Sequence, residues 1–78
     1  MKATLIGMKK FTGKDGRRWV NVGVMYKDIN AIGGAFASAV MASDENNLSE
    51  SLRPGDIYDL AFDNRGQLLG IEHLGAGK

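Results

Sequence analysis

The sequence predicts an all-β domain in which five strands wind into a small Greek-key barrel, with one short helix between the third and fourth strands. Three observations carry that expectation. Asp15-Gly16 and Asp63-Asn64-Arg65-Gly66 are hairpin signals, because Gly takes the positive φ of a tight turn without a Cβ clash. Val20, Val22 and Val24 alternate with Trp19, Asn21, Gly23 and Met25, and Tyr58, Leu60 and Phe62 alternate with Ile57, Asp59 and Ala61. That period of two gives a strand one apolar and one mixed face. Between them, Leu52-Arg53-Pro54-Gly55-Asp56 reads as a turn, with Pro setting φ at one central position and Gly accepting positive φ at the next.

Taken in order, Lys2 to Phe11 is the first strand. Leu5 shares parity with Ala3 and Gly7, and Ile6 with Thr4 and Met8, so neither face is purely polar. Such a mixture suits a strand bent round a barrel, with Gly7 allowing a kink. The second strand runs from Arg18 to Lys27, after a two-residue Asp15-Gly16 turn, and Asp28-Ile29-Asn30 opens a loop. Residues 33–42 read two ways. Ile32, Phe36 and Val40 recur every four residues among helix-favouring alanines, whereas Phe36, Ser38, Val40 and Ala42 alternate as in a strand. Gly33-Gly34 suits a turn between strands better than a helix cap, which favours a third strand. Asp44 to Leu52 predicts one or two helical turns, with Asn47 and Glu50 as a capping box. Ile57 to Phe62 and Leu68 to Leu74 are the last two strands, Gly66 taking the left-handed position between them. Residues 75–78 read as a frayed tail. This order matches the five-stranded barrel of the OB fold.

Seventy-eight residues make one domain spanning 1–78, near the lower limit for a core without a staple, so self-association would help. Cysteine is absent, which removes disulfides, thiolate metal sites and a thiol nucleophile. No apolar run approaches the roughly 18 residues of a membrane span, and Lys9-Lys10 interrupts the N-terminal apolar stretch too early for a signal peptide. The expected location is the cytoplasm. The net charge of +1 conceals a division: residues 1–27 hold seven Lys or Arg and one Asp, and residues 28–78 hold three basic and eight acidic groups. A molecule with one positive face follows.

Catalytic chemistry is poorly represented. His73 is the one histidine, set in a strand where the neighbouring Glu72 points to the opposite face. One histidine without cysteine does not close a zinc site, and Gly13 and Gly16 lack the Lys-Ser/Thr ending of a phosphate loop. The chain reads as a binding protein, with no enzyme activity, cofactor or metal expected. Single-stranded nucleic acid needs cations to follow phosphates and aromatic faces on which bases stack. Lys9, Lys10, Lys14, Arg17 and Arg18 are candidates for the first role; Phe11, Trp19 and Tyr26 for the second, with Asn21 beside them. Valines lining the core put Trp19 on the surface next to Asn21 and Met25; a place in the core or in a subunit interface is the alternative. Tyr26 shares the valine parity and is the weaker candidate, and Phe11 at a strand end also suits a core plug.

From about Lys2 to Leu74 this arrangement resembles the small OB-fold single-stranded DNA-binding proteins of filamentous phages and of related phage and mobile-element replication modules. The resemblance lies in the first strand, the basic turn Thr12-Gly13-Lys14-Asp15-Gly16, the strand led by Trp19, and the closing hairpin introduced by Leu52-Arg53-Pro54-Gly55-Asp56-Ile57-Tyr58. It implies a homodimer and sequence-tolerant, cooperative binding that protects single strands during replication or transfer, with Lys14, Arg17, Arg18 and Trp19 as matching positions. The Ala-rich third segment and the acidic second half depart from that pattern. RNA is an alternative ligand for such a barrel. A different class of function, a protein-interaction module recruiting a replication or other cytosolic partner, needs no nucleic acid.

Overall fold

The computed structural model describes residues 1–77. Five strands form one antiparallel sheet, β1 (Lys2–Thr12), β2 (Arg18–Lys27), β3 (Ala35–Ser43), β4 (Ile57–Phe62) and β5 (Leu68–Gly75), with helix α1 (Leu48–Ser51) between β3 and β4. Strand order across the sheet is β3-β2-β1-β4-β5. The fold is thus all-β, and residues 33–42 resolve in favour of a strand. Gly33 and Gly34 both take positive φ, near 95° and 80°, and turn the chain back so that β3 pairs with β2 from Trp19 to Lys27. Gly75 belongs to β5 rather than to a tail, Ala76 and Gly77 follow it, and the rest of the expected tail, Lys78, lies outside the described residues.

Of the expected five-stranded barrel, the single antiparallel sheet is present and closure is not found among the described residues. β3 and β5 are the two outer strands, and no ladder joins them among the described residues. A cleft of about 470 Å³, with Ala39 to Ser43 on one side and Phe62 and Leu68 on the other, occupies the seam where closure would occur. Strands must come within about 4.8 Å to share hydrogen bonds.

The core follows from the period of two. Val20, Val22 and Val24 are buried with Ala3, Leu5, Ala42, Leu52, Tyr58 and Leu60. β1 changes parity midway, because a bulge between Leu5 and Gly7 makes Ile6 an extra residue against β2. An inserted residue switches every later side chain to the other face. Ala3 and Leu5 therefore point inward before the bulge and Met8 after it.

Both tight hairpins use a left-handed glycine. The β1–β2 turn is longer than the two residues expected: Gly13 and Arg17 pair through the backbone, Gly16 N–H donates to Gly13 O at 3.0 Å, and Gly16 has φ near 85°. The β4–β5 turn repeats this construction with Asp63, Gln67 and Gly66. These are three-residue loops closed by a glycine bulge. α1 also differs from expectation. Asn47 holds the cap position but takes left-handed φ and ψ and makes no side-chain cap bond. Asp44 replaces it, accepting from the Ser49 backbone N–H and hydroxyl, both at 2.8 Å.

Candidate nucleic-acid interface

Cross-strand partners share a face of a sheet, so register converts the sequence into two surfaces. On the outer face, away from the valine core, Phe11, Trp19 and Ser43 form one row across β1, β2 and β3, and Lys9, Asn21 and Met41 form the next. Gly7, Gly23 and Ala39 follow, then Thr4, Met25 and Ala37. Phe11, Lys9, Asn21, Met25 and Met41 are exposed and Trp19 is half-buried. No acidic residue occupies these rows. The acids of this face, Asp59 and Glu72, stand opposite one another on β4 and β5. The division of charge along the chain thus becomes a division across the sheet.

Trp19 is positioned by the turn before it. A Cβ at Gly13 would come within 3.0 Å of the Trp19 Nε1 and 3.2 Å of its Cδ1, so the indole lies against a backbone that only glycine keeps clear. Trp19 also borders the cleft between β3 and the β4–β5 turn, alongside Met41, Ser43, Gly66 and Gln67. Trp19 is therefore neither enclosed among the valines nor fully free.

The predicted cations separate into two groups. Lys9 shares the outer face with Phe11 and Trp19, and Lys14 is exposed in the turn. Arg17 pairs with Asp15 at 3.3 Å, both side chains being well exposed; such a pair is worth little and opens readily. Arg18 is committed elsewhere. Its backbone N–H donates to the Glu45 carboxylate, its Nη2 to the Glu45 carbonyl oxygen at 2.8 Å, and its Nη1 to the Asn47 side chain at 3.1 Å. Lys10 pairs in register with buried Val20, which puts it on the core-side parity. Its charge, with that of Arg18, helps hold the buried Asp44 carboxyl below its ordinary pKa, the main cause being the hydrogen bond from the Ser49 backbone N–H.

Tyr26 also leaves the outer face. It packs on the core side, its ring 6.5 Å from that of Phe36 in an edge-to-face arrangement. Of the nine expected site residues, Lys9, Phe11, Lys14, Arg17, Trp19 and Asn21 come together on or beside one surface. Lys10, Arg18 and Tyr26 do not.

Other residues join that surface unforeseen. Met41, 55% exposed, lies beside Asn21, and the β4–β5 turn brings Gln67 to the same cleft as Trp19, with Arg65 exposed in that turn. Their pairing spans 20 residues or more along the chain, so no local pattern marks them. His73 sits elsewhere, its Nε2 3.0 Å from Asp56 and its ring against Tyr58. Among the described residues no three acidic or histidine side chains are grouped to hold a metal ion. None of the helices among them is long and apolar enough to cross a membrane.

A scan against protein-family models, a search of curated proteins and a search of solved structures each returned no match to this chain.

Proposed function

We propose that this chain binds single-stranded nucleic acid, DNA foremost, on the outer face of β1–β3, and carries out no chemical step on it. The observation that carries the reading is the pair of adjacent rows Phe11–Trp19–Ser43 and Lys9–Asn21–Met41. They combine aromatic rings, a cation and a free amide in rows without acids, the chemistry by which bases stack and phosphates are neutralised. Strand order adds support. With β3-β2-β1-β4-β5, a contact between the two outer strands would complete a barrel of OB type. In that fold the β2–β3 face and the turns after β1 and β4 form the oligonucleotide surface. Here the turns 13–17 and 63–67 flank Trp19 and its cleft.

Titration with an oligonucleotide of dT tests the proposal. Quenching of Trp19 emission, weakening steeply as salt rises through counterion release, is the expected result. Equal affinity for a duplex, or no quenching at low salt, rejects it. A parallel titration with oligo-rU decides between DNA and RNA.

A further inference from the structure

The sheet has two free edges, and they are built differently. β5 carries Glu72 and His73 and is interrupted by register shifts that leave Leu69 and Leu74 as extra residues. Charge and bulges are devices that keep an edge from recruiting another strand. β3 has neither. Its nine residues, Ala35–Ser43, contain no charge and no proline and pair with β2 without a shift. From Ala39 onward β3 borders the cleft towards Phe62 and Leu68, which leaves Ala35 to Ser38, with Ala39 at its limit, as an open, uncharged edge. Beside it Ile29 and Ile32 are 92% and 104% exposed, and Phe36 is 57% exposed. Apolar side chains clustered in this way mark a contact surface.

We propose that a second copy of this chain covers this edge, its β3 pairing antiparallel with this one about a two-fold axis at Ala37. A two-fold interface requires a surface to complement itself. An uncharged strand does so, because no like charges meet when it faces its own copy. In this register Ala35 faces the partner's Ala39, Phe36 faces the partner's Ser38, and Ala37 faces the partner's Ala37.

Residues directly opposed in a ladder lie on the same face, so the outer faces of both copies merge into one six-stranded surface. On the nucleic-acid reading above, this supplies a missing cation. Lys27, paired with Ala35, enters the row Gly7–Gly23–Ala39 of the other copy, about 10 Å beyond Ala39 at ordinary strand spacing. That row has no charge of its own. Dimerisation itself does not depend on the nucleic-acid reading.

The test uses the free protein without nucleic acid. Directly opposed residues lie about 4.5–5.5 Å apart between Cα atoms, within disulfide reach, and the chain contains no cysteine. Light scattering should give twice the chain mass. Ala37→Cys should oxidise to a covalent dimer while Ala35→Cys, which faces the partner's Ala39, stays reduced. Ala37→Lys, which sets two ammonium groups opposite each other, should yield a monomer with an unchanged circular dichroism spectrum. A wild-type monomer at every concentration overturns the proposal. So does a dimer that survives Ala37→Lys, or equal cross-linking of both cysteine variants. A monomer that still quenches with dT removes this interface and leaves the nucleic-acid proposal standing.

Discussion

Arg18 holds Glu45 at two points: its backbone N–H donates to the carboxylate and its guanidinium Nη2 donates to the carbonyl oxygen at 2.8 Å. One residue of the basic hairpin thereby fastens the acidic loop between β3 and α1 to the start of β2. The cation that stands next to Trp19 in sequence works as a clamp within the fold.

Arg18→Ala should accordingly lower thermal stability, by about 1 kcal/mol for each hydrogen bond lost. The slope of oligonucleotide affinity against salt should stay nearly the same. Denaturant melts and salt titrations on the same variant check both halves. A flattened slope with unchanged stability would return Arg18 to the proposed binding surface.

Lys9 and Lys10 are neighbours in sequence and point to opposite faces of β1. Lys9→Ala should weaken binding of dT and flatten the salt slope by about 0.7 for one phosphate contact to a single strand. Lys10→Ala should leave the slope as it was. Equal effects from the two would contradict the assigned faces.

Trp19→Ala should cost about 1–3 kcal/mol of binding free energy, the range for one base stacked on an aromatic ring, with the salt slope preserved. Phe11→Ala should act in the same direction. Fluorescence anisotropy of a labelled oligonucleotide measures both variants without relying on the indole signal.

Gly13 leaves room for the indole, and a Cβ there would sit 3.0 Å from the Trp19 Nε1. Gly13→Val should displace the ring, shift its emission and weaken dT binding while the circular dichroism spectrum stays that of a β protein. An unaltered emission maximum would show that the indole does not depend on that turn.

Asp44 is buried, and its carboxylate is held below the ordinary value of 3.8 chiefly by the Ser49 backbone N–H. A carboxyl with a depressed folded-state pKa binds protons more readily when unfolded, so its stabilisation is present in full above the unfolded-state pKa, near 4. It is lost as pH falls through the lower folded-state value. Wild type should therefore lose melting temperature more steeply below about pH 4 than Asp44→Asn, and the two should differ most near neutrality. Parallel losses on acidification would show that Asp44 is not the group responsible.

Much of the fold was legible residue by residue, for local reasons. The valines of β2 disclose its inner face because alternation is a property of neighbours along one strand. Gly55 and Gly66 take positive φ, near 98° and 82°, at turns whose composition already required it. The Gly33-Gly34 pair marked the return of β3 for the same reason. Phe11, Trp19, Lys9 and Asn21 could be grouped as candidates because one hairpin contains them all.

What escaped was decided at a distance. The bulge at Ile6 sets the faces of Lys9 and Lys10, yet it exists only in the pairing of β1 with β2. Arg18 is occupied by residues 27 and 29 positions away, and Tyr26 finds its partner Phe36 on the returning strand.

Taken by itself, the sequence determined the strands, the turns, the buried valines and the concentration of positive charge in the first third of the chain. These follow from backbone preference and side-chain alternation, which act over a few residues. Only the tertiary structure decided which cations share a face with Trp19, which one is tied to acidic neighbours, and that β3 and β5 end as the outer strands with no ladder between them among the described residues. Those outcomes depend on register and on contacts between elements, and a register is specified by two strands together, never by one.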